Sequence, residues 1–319
     1  MDFADLFLQT DEDPVAVSSA SANMQYAEGA PPMEEDRNQI EVELDEEKVL
    51  KRAEEVKARR VKAAGKKLMQ ERRTQTRKFE AAMNRYFQGQ ADRIEQTLNG
   101  TKKADEETVW DVIGITPEEY AALSRQEQQE VTTRFVNGLL DWTTEKDLLE
   151  SLLTPLWAET YDMGTYRIPA INRPELTSTA RLRGGQRITK VTQTTKEKVG
   201  ALVTEALEEG KGRQQLSEEI MAEMRTSETR ARLIAAQECN TSLSAGQFDM
   251  ARCGGFKTKT WHVTNVSKAR DTHRELNGKT VPFSEPFVTT RGNKLMMPCD
   301  PNCNVAEETV NCHCFLTYD

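Results

Sequence analysis

The sequence predicts an α+β protein, with a long N-terminal helix and a helical bundle followed by a small C-terminal domain of helices plus a short antiparallel sheet. Three observations support this fold class. Helix-forming residues run without proline from Asp45 to about Leu98, and apolar residues recur at helical spacing further along the chain. After Cys253 the pattern changes to short apolar segments separated by turn residues, which is typical of antiparallel strands.

The N-terminal hundred residues divide into two segments of opposite charge. Residues 1–43 mix acids, serines and prolines without periodicity, so we expect a disordered acidic tail. Residues 44–100 form the predicted long basic helical arm. The first 45 residues carry twelve acids against one arginine, whereas residues 46–80 carry thirteen lysines and arginines against six glutamates. An acidic tail followed by a basic helix is typical of an interaction arm.

Basic side chains in the arm are candidates for contact with DNA, because ammonium and guanidinium groups bind phosphates without reading the base sequence. The alternative is a solvated helix face with intrahelical pairs such as Glu47–Lys51. The overall net charge of -9 argues against a surface that coats nucleic acid throughout. The candidates are Arg59, Arg60, Lys62, Lys66, Lys67, Arg72 and Arg73.

The rest of the chain divides into a helical connector at 101–187 and a C-terminal domain at 188–319. In the connector, Thr116, Pro117 and Glu119 predict a helix start, because they suit the N-cap, N1 and N3 positions. The glycines and prolines of residues 161–187 predict an irregular linker. In the C-terminal domain we expect helices near 199–210, 216–224 and 228–253, a strand near 257–263, and turns at Asn277-Gly278 and Arg291-Gly292-Asn293.

The composition also bears on the cellular compartment. No apolar run approaches the length of a membrane span and no apolar segment opens the chain, so we expect neither a membrane partner nor a signal peptide. We therefore expect folding in a reducing cytoplasm. In that compartment clustered cysteines more often bind metal or stay reduced than form disulfides.

Four cysteines near the C-terminus are candidate metal ligands, in the pattern Cys299-x3-Cys303-x8-Cys312-x-Cys314. Their thiolates could enclose a tetrahedral structural zinc ion, and His273 could replace one of them. The C-terminal segment has few large apolar side chains, so a metal could supply missing folding free energy. The spacing differs from the common Cys-x2-Cys pairs. Reduced thiols, or a disulfide that forms only after the protein has left the reducing cytoplasm, are therefore alternatives.

A second cluster consists of Glu238, Arg270, Asp271 and His273. A histidine with two carboxylates could hold a divalent ion for phosphodiester chemistry. In the alternative, structural reading, Arg270 pairs with Glu238 while His273 hydrogen-bonds or binds the structural metal. The sequence has no glycine-rich phosphate loop, nucleophile elbow or His-Glu-x-x-His motif, and we expect no enzymatic activity.

The stretch from about Thr189 to Leu316 resembles the phage Mu F-like head morphogenesis domain of tailed-phage minor head proteins. The matching segments occur in order: EALEEGKGRQQLSEEI, RARLIAAQE, KTWHVTNVSKARDTHRELNGKTV and NCHC. Gln237 and His313 depart from the threonine and arginine usual in the family, and Cys299 and Cys303 look like local additions. The motif positions are Glu238, Trp261, Arg270, Asp271, Asn277 and Gly278.

The resemblance implies a phage minor head protein that is made in the host bacterial cytoplasm and resides in the virion, in the capsid interior near the portal vertex. Its implied partners are the portal protein, a scaffold or major capsid protein, and packaged DNA. Its implied roles lie in procapsid assembly, DNA packaging or DNA ejection. The N-terminal part resembles, more weakly, the C-terminal extension of a portal protein. The alternative function is a metal-dependent nuclease or an effector delivered with phage DNA.

Overall fold

The computed structural model describes residues 46–99, 107–168, 177–225 and 228–319. The chain divides into two compact units, residues 1–64 and 65–319. The predicted disordered tail at 1–43 lies outside the described residues. The second unit contains the rest of the first helix, the helical bundle and the sheet.

Helices make up most of the described chain before residue 254, as the sequence predicts, and the fold class is α+β. None of the helices in the described ranges has the length and apolar content required to cross a bilayer. In chain order the helices are α1 Glu46–Asn99, α2 Val109–Ile113, α3 Pro117–Ala122, α4 Arg125–Leu139, α5 Trp142–Tyr166, α6 Thr177–Glu209, α7 Arg213–Arg225 and α8 Glu228–Cys253.

Most of the irregular linker predicted at 161–187 is helical instead. Helix α5 continues to Tyr166, and α6 already begins at Thr177, so that Gly184 and Gly185 lie inside a helix. A glycine inside a helix costs only about 1 kcal/mol relative to alanine. The linker prediction was wrong because helix α6 is 33 residues long and extends through two such positions.

Reciprocal caps start the short helices of the bundle. The Thr116 hydroxyl accepts a hydrogen bond from the Glu119 amide at 3.2 Å, and the Glu119 carboxylate accepts one from the Thr116 amide at 2.9 Å. Pro117 occupies the first helical turn, as predicted. Equivalent capping boxes begin α2 and α4. Each cap stabilises its helix by about 1 kcal/mol.

The C-terminal half of α1 lies in the main hydrophobic core. Its apolar residues recur at helical spacing and are buried together with residues of α4 to α8. The Glu145 carboxylate enters this core: it is 2% exposed and accepts two hydrogen bonds from Arg93, at 2.5 and 2.7 Å. The core residues that α1 contributes are Phe79, Ala82, Met83, Tyr86, Phe87, Ala91, Ile94 and Leu98.

Helices α5 and α8 cross in direct backbone contact. At the crossing, a Cβ atom on Gly246 would overlap the Tyr161 carbonyl oxygen and lie 3.3 Å from the Gly164 Cα atom. A Cβ atom on Gly164 would likewise overlap the Leu243 carbonyl oxygen. Two glycines facing each other therefore set the distance between the two helices, since any side chain at either position would force them apart.

Replacing Gly246 by alanine is expected to lower the free energy of unfolding by about 3 kcal/mol or more, because backbone atoms on α5 would have to move. The matched control is Gly200→Ala in α6, where the nearest atom to the new methyl group is 3.9 Å away. That control should raise stability by about 0.5–1 kcal/mol through helix propensity. Urea denaturation of both variants tests the crossing, and equal effects would contradict it.

The C-terminal part of the chain contains two small sheets. The strands and short helices are β1 Thr258–His262, α9 Asp271–Arg274, β2 Thr280–Pro282, β3 Phe287–Val288, β4 Lys294–Leu295, α10 Ala306–Thr309 and β5 Phe315–Tyr318. Strand β1 pairs antiparallel with β2 on one side and with β5 on the other, while β3 and β4 form a hairpin. This arrangement confirms the predicted antiparallel sheet.

A fully buried lysine lies beneath the sheet. Lys259 on β1 has no exposed surface, and its ammonium group donates a 2.9 Å hydrogen bond to the Met296 carbonyl. The same nitrogen lies 5.1–5.5 Å from the ring centres of Phe248, Phe283 and Phe287. Burial lowers the pKa of Lys259 to about 8, although the nearby Asp300 carboxylate partly opposes this shift.

The lysine predicts a specific pH dependence of stability. An unfolded chain holds the Lys259 proton up to about pH 10.5, whereas the folded protein releases it near pH 8. Between these values the unfolded state binds more protons, so the free energy of unfolding should rise with pH. Lys259→Met should lack this increment. The test is the difference in unfolding free energy between wild type and variant at pH 7.5 and pH 10, and a constant difference would contradict the prediction.

Candidate metal centre

A histidine and two cysteines meet below the three-stranded sheet. His273 is on α9, while Cys312 and Cys314 are in the turn that leads into β5; all three are buried. The Nδ1 atom of His273 lies 3.5 Å from the Sγ atom of each cysteine. The three possible ligand atoms lie within 4.8 Å of one another. We call His273, Cys312 and Cys314 the His-Cys-Cys cluster.

Hydrogen bonds from distant helices fix the backbone of the cysteine turn. Arg72 of α1 donates to the carbonyl oxygens of His313 and Cys314, at 2.9 and 3.0 Å. The side-chain amide of Asn240 on α8 donates to the Cys312 carbonyl at 3.1 Å. Asn311, just before the turn, has a left-handed backbone with φ of 57°. These contacts hold both thiols toward the interior.

A buried carboxylate faces the opposite edge of the histidine ring. The Oε2 atom of Glu308 lies 3.2 Å from His273 Nε2, at an angle too bent for a regular hydrogen bond. Thr272 and Asn293 donate to the two oxygens of Glu308, at 2.9 and 3.0 Å. Burial alone would raise the pKa of Glu308, but the hydrogen bonds from Asn293 and Thr272 and the proximity of His273 outweigh it and lower the pKa.

The proximity of the Glu308 carboxylate bears on which ring nitrogen of His273 carries the proton. An ionised carboxylate only accepts, so it favours a proton on Nε2 and leaves the Nδ1 lone pair directed at the two thiols. Trp261 packs edge-on against the ring, with the centroids 5.1 Å apart, and restricts its rotation. The ring is therefore held in the tautomer and orientation that a metal ligand needs.

The two thiols of the cluster have opposite tendencies to ionise. Hydrogen bonds from the thiols of Cys299 and Cys314, together with the His273 side chain, hold the pKa of Cys312 well below its ordinary value. The hydrogen bond to Cys312 and burial raise the pKa of Cys314. Thiolates are the form in which cysteine binds metals.

The structure places the other two predicted cysteine ligands differently. Cys299 is buried, has a left-handed backbone with φ of 57°, and points its thiol at the Cys312 carbonyl oxygen, 3.3 Å away. It adjoins the His-Cys-Cys cluster. Cys303 is partly exposed and lines a surface groove together with Glu238 and Arg230. Among the described residues, neither Cys299 nor Cys303 is part of the group of converging ligand atoms.

The predicted nuclease constellation is dispersed in the structure. Glu238 is buried and accepts a 2.9 Å hydrogen bond from the Trp157 indole. Asp271 is 81% exposed and pairs with Arg274 on the surface. Arg270 donates to the carbonyl oxygens of Glu307 and Val310 rather than to the Glu238 carboxylate, which replaces the pairing expected from the sequence. His273 faces the two thiols.

The remaining motif positions have structural contacts. Trp261 is fully buried, and the Asn277 side chain accepts a hydrogen bond from the Val263 amide at 2.9 Å. Gly278 has φ of 80° and donates to the Trp261 carbonyl at 2.7 Å, so the Asn277-Gly278 turn is present. Neither the position of Glu308 nor the role of Arg72 was predicted from the sequence, because neither residue belongs to a local ligand pattern.

The DNA-contact candidates differ in exposure. Lys66, Lys67 and Arg73 are exposed in the larger unit, and in the smaller unit Arg59 and Lys62 are exposed while Arg60 is partly buried. Arg72 is only 3% exposed and its guanidinium group binds the cysteine turn. Five of the seven predicted DNA-contact residues are thus exposed, whereas Arg60 is partly buried and Arg72 is buried.

Substituting Arg72 is expected to destabilise the larger unit. Arg72→Met keeps the aliphatic stem but removes both charged donors, which should lower the free energy of unfolding by about 2–4 kcal/mol. Arg73→Met, on the exposed neighbour, should change it by less than about 0.5 kcal/mol. Chemical denaturation followed by circular dichroism makes the comparison. A wild-type stability for Arg72→Met would show that the two carbonyl contacts are dispensable.

Comparison with known proteins identifies the C-terminal region. The family described as Phage Mu protein F like protein matches residues 197–317, which include the whole His-Cys-Cys cluster. The minor head protein GP7 of Bacillus phage SPP1 is 27% identical over 123 residues, 38% of this chain and 39% of that protein. The uncharacterized protein YqbB of Bacillus subtilis strain 168 is 30% identical over 127 residues, covering 39% and 41% of the two chains.

The similarity is confined to one part of each protein. The matched segments span about two fifths of the length of both relatives. No solved structure matches this chain. The family match nevertheless covers α8, the sheet and the cysteine turn, in the order that the sequence motifs predict. Residues 197–317 are thus similar to the family described as Phage Mu protein F like protein and to part of a phage minor head protein.

Proposed function

We propose that this protein is a minor head component of a tailed-phage virion that docks on the portal inside the procapsid and acts in head assembly, DNA packaging or DNA ejection. The observation that carries the proposal is the family match at residues 197–317, together with the similarity to a protein named as a minor head protein. Portal, scaffold or major capsid protein and packaged DNA are the partners that this role requires.

The contacts of the family-matched region support an integrated docking module. Arg72 of α1 and Trp157 of α5 lie outside residues 197–317, yet both hydrogen-bond to residues inside that range. The matched region therefore packs with upstream helices in one compact unit. A partner that docks on this unit would meet a preformed surface, which lowers the entropic cost of binding.

A groove on this unit is our candidate for the portal contact. It has a volume of about 360 Å³, and its wall combines apolar side chains with the polar groups of Arg230 and Gln237. Leu233 and Val310, both of which line it, are 48% and 42% exposed. Large apolar side chains that stay exposed around a concavity are typical of protein-binding surfaces.

The nuclease alternative has less support. It requires Glu238, Asp271 and His273 to share an open cleft, whereas two of the three side chains are buried and the third lies on the surface. The histidine faces thiols, which are ligands typical of structural zinc sites, more than of hydrolytic magnesium sites. The geometry therefore favours an assembly role over phosphodiester cleavage.

DNA contact by α1 is a secondary proposal. The specific observation in its favour is the exposure of Lys66, Lys67 and Arg73 on one short stretch of helix. Sequence-independent binding through such groups would weaken steeply with salt. Replacing these three residues by glutamine should abolish a salt-sensitive gel shift, and unchanged binding would remove the proposal.

Co-purification with the portal protein tests the main proposal. The full-length chain, carrying an affinity tag, is expected to retain the portal protein encoded in the same genome. A Leu233→Asp, Val310→Asp double variant should bind at least about tenfold more weakly, because charges would replace the apolar contact. Biolayer interferometry measures the affinities.

The control is Leu148→Asp, since Leu148 is 41% exposed on α5 and does not line the groove. It should bind the portal like the wild type. If the wild-type chain retains neither portal protein nor assembled proheads, the portal-docking proposal is wrong. If the double variant binds normally while the wild type binds, docking stands and the groove is not the contact.

A further inference from the structure

We propose that the His-Cys-Cys cluster binds a single structural Zn²⁺ ion and that Cys299, not Cys303, supplies the fourth ligand. This inference is independent of portal docking. It assigns a ligand set to residues that the fold brings together from α9, the loop after β4 and the turn before β5.

The spacing of the cluster fits zinc. With Zn–N bonds of about 2.0–2.1 Å and Zn–S bonds of about 2.3 Å at a tetrahedral angle, a nitrogen and a sulfur ligand lie about 3.6 Å apart. The observed distances from His273 Nδ1 to the Sγ atoms of Cys312 and Cys314 are both 3.5 Å. Three ligands thus surround a point that a zinc ion could occupy with little movement.

Cys299 is placed to complete the tetrahedron. Its side chain is buried, and its Sγ atom lies 3.3 Å from the Cys312 carbonyl oxygen. In the structure this thiol points to the Cys312 carbonyl oxygen, so binding the ion would require the Cys299 side chain to rotate. Its left-handed backbone is an unusual conformation for a residue with a Cβ atom, and such strain concentrates at functional sites.

The surroundings indicate a structural site. All four proposed ligands are buried, and four protein ligands leave no open position for a substrate. Glu308 faces the far nitrogen of His273, which is the carboxylate–histidine–zinc arrangement that orients a ligating ring. Binding would release the remaining thiol protons to solvent and leave three thiolates on the ion. A mixed nitrogen and sulfur set in a tetrahedron favours zinc over magnesium or calcium.

The experiment measures metal in the purified full-length protein by mass spectrometry, after expression in zinc-supplemented medium. About one zinc ion per chain is expected for the wild type. Cys312→Ser and Cys314→Ser should lose it, and Cys299→Ser should hold it at least about tenfold more weakly in chelator competition. Cys303→Ser and the exposed Cys253→Ser are the matched controls and should keep the full zinc content.

Cobalt substitution keeps the test decisive where a variant fails to fold. The wild-type protein, stripped of zinc and loaded with Co²⁺, should show thiolate charge-transfer bands and intense visible bands of a tetrahedral ion. A folded wild-type protein that contains no zinc and takes up no cobalt would overturn the proposal. Loss of zinc from Cys303→Ser but not from Cys299→Ser would overturn the proposed ligand set.

Discussion

The larger unit depends on one constraint: Arg72 must stay buried beside the cysteine turn. A guanidinium group is always charged, so its burial is tolerated only where acceptors replace water. The carbonyl oxygens of His313 and Cys314 are such acceptors, and they are 241 and 242 residues away in the sequence. His313 lies between the two cysteines of the cluster, and Cys314 is one of them. A single side chain therefore connects the C-terminal half of helix α1 directly to the His-Cys-Cys cluster.

Local features were predictable and long-range ones were not. The cap at Thr116, the limits of helices α1 and α8 and the turn at Gly278 depend on neighbouring residues, which is why the sequence predicts them. Cysteine spacing pointed to the segment that holds Cys312 and Cys314, but it could not separate the buried Cys299 from the partly exposed Cys303, because they are only four residues apart. The separation comes from tertiary packing. The position of Glu308 beside His273 could not be predicted from the sequence, because acidic residues on short helices are common.

The matched family region and the compact unit have different boundaries. Residues 197–317 contain the cluster, but the side chains that fix its backbone also come from α1, which lies upstream of the match. The close crossing of Gly164 and Gly246 joins α5 to α8 across the same boundary. The match therefore covers the cluster and most of the sheet, whereas the packing that stabilises them in this chain also includes helices upstream of the match.

The long separation between Arg72 and its acceptors also has a consequence for folding during translation. A bacterial ribosome adding about 20 residues per second needs on the order of ten seconds to proceed from Arg72 to Cys314. Over that interval the guanidinium group of the nascent helix donates to water, and the apolar face around Phe79 and Met83 lacks part of its cover. Contacts of such high contact order form slowly. The contacts between Arg72 and the cysteine turn therefore form only after residues 72–314 have all been synthesised.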